Sequence, residues 1–281
     1  MALAELQQRE FHLVWETGPT CEASFPELFE APKLAEIRRS EIEARVASDR
    51  ATVYTDSEWY DRIWERHAKD THSWERFREV AYAKVKQLEP VPSIAGEVRA
   101  FAEKHALDDA VGLHVRWTDN LQDYDLWEKH APGFRRELVS RIEGFVRFLR
   151  ESPHGPPPRR VFLATDNPSV ESTLAGSFEG ELITFPKAYS RAYAWKFSLR
   201  RFRPFKQLRR TTSMREALID LLLLSKCRVI AGTYFSSFGE LASLLGTHEL
   251  YTIQGEGYEK GSFVRRLAGA PPGATAGSPE A

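Results

Sequence analysis

The chain has 281 residues, 42% of them hydrophobic and 28% charged, with a formal net charge of −1. That length fits one large domain or two of ordinary size around a substantial core. The balanced charge excludes global steering toward nucleic acid or membrane, and no stretch has the roughly 20 apolar residues of a bilayer span. Cys21 and Cys227 lack metal-ligand spacing and read as ordinary thiols of a reducing compartment. Met1 to Glu10 lacks the basic start and apolar run of a secretory signal, which predicts a cytoplasmic protein.

In chain order, Ala2 to Gln8 reads as the last turns of a helix, and Phe11 to Trp15 as a strand stopped by Gly18-Pro19. Helical patterns cover Lys33 to Ala47 and Ser57 to Gln87. Pro90 and Pro92 mark a boundary, and Ser93 starts another helix with Glu97 placed to cap it. From Ala106 the pattern alternates. Strands are expected at 110–115, 160–164, 181–185, 228–231 and 249–252. Helices are expected at 132–151, 168–176, 212–226 and 237–245. Such alternation predicts a parallel sheet covered on both faces, a Rossmann-like unit spanning 106–265. The Gly-, Ala-, Pro- and Ser-rich residues from 268 to 281 read as a disordered tail.

The most informative stretch is Val111 to Asp119, where an apolar strand breaks into His114, Arg116, Thr118 and Asp119. A buried strand ending in arginine presents a cation at the sheet rim, where phosphate-bearing ligands dock in open α/β folds. Two later strands end the same way, in Thr165-Asp166 and, after a turn, in Ser236-Ser237.

These blocks carry a resemblance. His114-Val115-Arg116-x-Thr118-Asp119 resembles the H-V-R-R-T-D segment of the α1,6-fucosyltransferases and their nodulation-factor relatives. The likeness continues through Val161 to Pro168, Ala217 to Ser225 and Ser236-Ser237-Phe238, while the first half is similar only at Leu13-Val14-Trp15 and Phe25 to Phe29. It implies a GT-B-like α/β fold with a reduced N-terminal, acceptor-side domain (1–105), a donor domain (106–267) and the tail (268–281). It also implies sugar transfer, of fucose foremost, from a GDP-sugar to a glycan or glycoconjugate, with no metal, no other cofactor and no nucleic-acid partner.

By resemblance, Arg116 holds the donor diphosphate, and guanidinium does offer a fixed fork of donors for phosphate oxygens. An ion pair with Asp119 is the plain alternative. By resemblance again, His114 and Asp220 contact guanine, whose N1–H and amine a carboxylate can accept together. At 100° per residue, Arg215 and Lys226 fall roughly 120–140° from Asp220, so it is off their basic face and needs a partner if buried. Ser236 and Ser237 stand at an expected helix N-terminus, which favours an anion; serine as a simple cap is the alternative. Thr165 and Asp166 suit a helix cap or a ligand contact equally. Asp119 is a candidate catalytic base; the alternatives are a group from the N-terminal domain, or an oxocarbenium-like path that needs only weak help.

Two departures stand out. Trp117 replaces the second arginine, and the family's early strand and Asn-Arg helix would lie before Met1. Loss of that segment suggests a rival, a GDP-sugar-binding relative without turnover. A Rossmann-type hydrolase using Ser236 or Ser237 is disfavoured by the absence of a G-x-S-x-G elbow.

Other signals compete. Asp123-Tyr124-Asp125 has the D-x-D form of a metal-nucleotide site, but three residues match by chance. Lys187 to Arg215 holds ten basic and no acidic residues, interleaved with Tyr189, Tyr193, Trp195, Phe197, Phe202 and Phe205. It suits a loop over the donor phosphates, a solvated lid, or a single-stranded nucleic-acid surface. Trp59, Trp64 and Trp74 cannot share one helical face and read as core, and His67 and His72 have poor metal spacing.

Overall fold

Each element of the computed structural model traces to local sequence. The structure describes residues 1–13, 15, 17, 21–30, 35–36, 39–48, 60–117, 135–189, 192–198, 203–210, 212–246 and 248–261. The N-terminal region contains α1 (Ala2–Leu6), β1 (His12–Leu13), α2 (Phe25–Leu28), β2 (Phe29–Glu30), β3 (Ala35–Glu36), α3 (Arg39–Ala47), α4 (Tyr60–His67), α5 (Trp74–Lys86) and β4 (Glu89–Pro90). Next come α6 (Pro92–His105), β5 (Val111–Val115), α7 (Ile142–Glu151), β6 (Arg160–Thr165), α8 (Pro168–Ala175) and β7 (Glu181–Ile183). A hairpin, β8 (Ala192–Ser198) and β9 (Arg203–Arg210), precedes α9 (Met214–Leu224), β10 (Val229–Thr233), α10 (Ser237–Gly246), β11 (Glu249–Gln254) and β12 (Gly257–Lys260).

The central sheet has the order β12-β11-β10-β5-β6-β7. Its strands are parallel except β12, which runs antiparallel to β11. Every residue of β5 and β10 is buried, as expected of strands covered on both faces. Alternation sorts the side chains. Val111, Leu113, Val115, Val161 and Leu163 pack with Phe145, Phe148 and Leu149 of α7 and Val170 and Leu174 of α8. Phe162, Ala164 and Ile230 face the other way, onto Leu218 and Ile219 of α9, Ala242 of α10, and Ile94 and Val98 of α6. Gly112 is needed on that side, because a Cβ there would stand 2.6 Å from Leu224 Cδ1 and 3.0 Å from Cys227 Cβ. Burial pushes the Cys227 thiol well above its usual range, which suits an inert core residue.

Several expected elements shift, each for a physical reason. Ala35–Glu36, expected inside a helix, is strand, because its backbone pairs in parallel with His12–Leu13 and a distant partner outweighs local pattern. The helix expected over 57–87 breaks between α4 and α5. There Trp64 Nε1 donates to the His72 carbonyl and Ser73 Oγ accepts from the Arg76 N–H, so a hydroxyl cap restarts the helix. Glu97 caps nothing. Pro92 opens α6 with no side-chain cap, and its missing N–H leaves one fewer donor to satisfy. Glu97 instead pairs with Arg215.

Among the described residues of the helix expected over 132–151, only a short 3-10 turn at Arg136–Leu138 precedes the α-helix that starts at Ile142. Before it the Arg141 N–H donates to the Gly255 carbonyl and Ser140 Oγ to the Ile253 carbonyl, which draws this stretch along the sheet end. The basic segment expected as a loop or lid is an antiparallel hairpin, with Trp195 opposite Lys206 and Phe197 opposite Pro204. β12 had no sequence signal; Gly255, at φ 56°, makes the turn that returns the chain along β11. Asp119, Asp123 to Asp125, Trp59 and the 268–281 tail lie outside the described residues.

Candidate functional site

The chain leaves β5 through α7 toward β6 on one side, and leaves β10 through α10 toward β11 on the other. The crevice above the carboxyl ends of β5 and β10 is therefore the switch point of the sheet, the place where open α/β folds take ligands. Arg116 and Trp117 emerge there from β5, and Ser236 and Ser237 from the turn after β10.

The backbone carrying Arg116 is pinned on both sides. Its N–H donates to Thr233 Oγ1 at 2.9 Å, and that hydroxyl donates to the His114 carbonyl at 2.9 Å. The next N–H, of Trp117, donates to Asp166 Oδ1 at 2.7 Å. The half-buried guanidinium thus stands on a stem locked to β10 and β6. Asp166 does not cap α8: Asn167 does, accepting from the Ser169 N–H at 3.0 Å. Thr165 Oγ1 donates to the Val115 carbonyl at 2.8 Å and accepts from the Asn167 N–H. The two residues act as braces for the end of β5. The indole of Trp117 lies half-buried against the cluster built on α7.

On the opposite rim Phe235 adopts a left-handed conformation, φ 61°, while buried. A non-glycine residue is strained there, and the sharp turn sends the chain straight into α10. Gly232 and Gly239 let α10 approach the strand: a Cβ on Gly239 would meet the Gly232 Cα at 3.2 Å. Ser236 precedes the helix half-buried and Ser237 opens it exposed, with neither hydroxyl bonded to a described residue. A helix N-terminus directs backbone N–H groups outward, and with the two hydroxyls this makes an anion-favouring rim. Beneath it lies a cavity of about 10 Å³, room for about one water, lined by Gly232, Thr233, Ser236, Gly239, Glu240, Leu250 and Thr252. His114 is buried and stacks on Phe238 of the same helix, ring centroids 4.6 Å apart and planes 19° from parallel. His114, Arg116, Ser236 and Ser237 therefore gather around β5 and β10.

Asp220 sits with the β6 end instead. It is 4% exposed, and its Oδ2 accepts from Lys187 Nζ at 2.7 Å. The same ammonium donates to the Thr165 carbonyl at 2.8 Å and is itself fully buried. The partner that helix geometry demanded is thus Lys187, which no local signal in the sequence could have singled out from its basic run. Burial pushes the Asp220 carboxyl up to about 7; Lys187 opposes that shift, and the charges of Glu171 and Glu216 add to it. Asp220 Oδ1 is buried and has no hydrogen-bond partner among the described residues, leaving one acceptor for a donor from elsewhere.

Thr233 and Glu240 also escaped the sequence reading. Glu240, buried in the first turn of α10, accepts from Tyr82 of α5 at 3.5 Å, a contact 158 residues apart. Among the described residues no three His, Cys, Asp or Glu are grouped to hold a metal, and no helix is long and apolar enough to cross a membrane. Trp64 and Trp74 pack edge to face at 5.5 Å beside Leu3 and Phe77, so those indoles form core.

No protein-family model matches the chain, and no curated protein matches it. Solved structures do. The fucosyltransferase NodZ from Bradyrhizobium aligns over 89% of this chain and 86% of its own, at 17% identity and a TM-score of 0.50. NodZ α-1,6-fucosyltransferase co-crystallised with GDP covers the same shares at 18% identity and a TM-score of 0.49. POFUT1 in complex with GDP-fucose aligns over 88% of each chain at 11% identity and a TM-score of 0.46. The first likeness shows the shared fold: a mixed α/β chain of GT-B type dominated by a parallel sheet.

Proposed function

We propose that this chain transfers a sugar, fucose foremost, from a GDP-sugar to a carbohydrate or glycoconjugate acceptor, in the cytoplasm and without a metal. The observation that carries the reading is the crevice at the carboxyl ends of β5 and β10, where the doubly pinned backbone of Arg116 and the serine-rich start of α10 both emerge. That geometry suits a diphosphate. The solved NodZ and POFUT1 structures, described with GDP and GDP-fucose, support the choice of nucleotide.

In this reading Arg116 stabilises the negative charge that develops on the departing diphosphate. Preorganised donors of this kind commonly contribute about 3–4 kcal/mol to the transition state. Ser236, Ser237 and the first N–H groups of α10 complete the cradle. His114 and Asp220 read the guanine, with Oδ1 of Asp220 as the open acceptor. Thr165 and Asp166 hold the β6 side of the pocket. Asp119, three residues beyond Arg116, takes the acceptor proton as general base. Residues 106–267 serve the donor and 1–105 the acceptor.

Calorimetry with GDP, followed by donor hydrolysis and transfer assays, tests the proposal. GDP binding with turnover of GDP-fucose is the expected result. Binding without any turnover makes the chain a non-catalytic GDP-sugar binder, and no binding to GDP or GDP-sugars removes both readings.

A further inference from the structure

The capping box of α9 does more than end a helix. Glu216 Oε2 accepts from the Ser213 N–H and Oγ–H, each at 2.8 Å, and Ser213 Oγ accepts in return from the Glu216 N–H at 3.1 Å. A capping box needs no more than this. Yet the second oxygen, Oε1, accepts from the Ala188 N–H at 2.8 Å, 28 residues upstream.

Ala188 lies just before the hairpin and Ser213 just after it. One carboxylate thus receives both ends of the 189–212 excursion. The residues flanking Ala188 add to the grip. Lys187 Nζ is bound to the Thr165 carbonyl and to Asp220 Oδ2, and the Tyr189 hydroxyl donates to Glu171 of α8. In the described backbone, β8 and β9 pair with each other and share no ladder with the central sheet. Burial works to neutralise Glu216, but the Ala188 and Ser213 hydrogen bonds and the Lys187 charge outweigh it and hold the carboxyl below its usual range. The clasp stays ionised near neutral pH, which strengthens each of its hydrogen bonds.

We infer that Glu216 is a positioning residue that fastens both feet of the basic hairpin to the donor side of the fold. The consequence for binding rests on the GDP-sugar reading: a clasped hairpin holds its basic run, ten Lys and Arg between 187 and 215 with no acidic residue, on the donor side of the chain.

The test uses the full chain and three variants. Ser213→Ala weakens the cap and spares the Ala188 contact. Ala188→Pro removes the Ala188 donor and spares the cap. Glu216→Ala removes both. Cleavage by trypsin between Lys196 and Arg210 reports how often the feet open, melting reports the cap, and amide exchange at residue 188 reports the bond itself. Glu216→Ala and Ala188→Pro should each speed cleavage about tenfold, the loss of a charge-assisted hydrogen bond. Ser213→Ala should lower the melting temperature and change cleavage less than about twofold. In Glu216→Ala the amide of Ala188 should exchange at least about tenfold faster, and GDP should bind about threefold to tenfold more weakly. If Glu216→Ala and Ser213→Ala are cleaved alike and Ala188→Pro is silent, Glu216 is only a helix cap and the inference fails. If the clasp opens as described while GDP affinity is unmoved, the clasp stands but the hairpin does not serve the diphosphate; if the parent binds no GDP at all, the GDP-sugar reading falls while cleavage and exchange still decide the clasp.

Discussion

The central sheet and the N-terminal region of this chain are held together by different means. The sheet uses buried strands, with Phe145, Phe148 and Phe162 wholly inaccessible among its filling residues. The N-terminal region uses two-residue pairings, β1 with β3 and β2 with β4, beside a small cluster of Leu3, Ala68, Trp74 and Phe77. Its ion pairs lie nearer solvent: Lys84 with Glu5 and Arg76 with Glu79 keep side-chain exposures between 23% and 69%, a range where such pairs contribute little. Leu28 of α2 is buried in the same cluster as Phe162 and Ile219, and polar contacts join the two regions as well, among them Tyr82 to Glu240 and Glu22 to the Met214 N–H. Diphosphate binding requires atoms held within a fraction of an ångström. The residues that suit it emerge from the stiff sheet.

The sharpest way to break that contrast is to empty each core in turn. Phe148→Ala should cost about 3–5 kcal/mol and lower the denaturant midpoint of the whole protein. Trp74→Ala should loosen the N-terminal cluster yet leave GDP affinity within about twofold. Equal loss of GDP binding in both variants would show one indivisible unit. At the rim, Arg116→Ala should weaken GDP binding about 100-fold, and Arg116→Lys about tenfold because the fork is lost while the charge remains. Both variants should melt like the parent, since backbone contacts hold the stem; calorimetry and thermal scans check this together.

Smaller and more diagnostic is the pH dependence of Asp220. Burial pushes its carboxyl up to about 7 in the folded protein, well above the ordinary aspartate value near 3.8. Between those values the folded state binds more protons, so this contribution to stability is fully present at low pH and is lost as pH rises toward 7. Asp220→Asn should flatten that part of the stability profile. With Oδ2 held by Lys187, Oδ1 is the acceptor left for a guanine donor and accepts best when the carboxyl is ionised, so GDP affinity should rise from pH 6 to 8 in the parent and more weakly in Asp220→Asn. The groups around it, Lys187, Glu171 and Glu216, are unchanged in the comparison. The smallest effect belongs to Trp117→Arg, which adds a cation beside Arg116. GDP affinity should increase about threefold at low salt and by less than that at 1 M salt, where the Debye length is about 3 Å.

The alternating pattern after Ala106 was enough to place the parallel sheet, because a strand buried on both faces must be a short apolar run. Arg116, Asp166, Ser236 and Ser237 were legible for the same reason: polar residues at the end of such a run mark the sheet rim. Lys187, Thr233, Glu240 and the double grip of Glu216 were not. Each matters through a partner far away in the chain, and a local pattern carries no trace of a contact made across the sheet. The hairpin and β12 were missed similarly, since an antiparallel ladder outside the main alternation is defined by pairing rather than by burial.

By itself, then, the order of residues determined the fold class, the site edge and the chemical character of the groups on it, because periodicity and strand-end polarity are local. Only the tertiary structure decided that Asp220 is held by Lys187, that Asp166 and Thr165 brace the arginine stem rather than cap a helix, and that one glutamate ties down the hairpin. Those roles depend on burial and distance, which exist only once the chain has closed on itself.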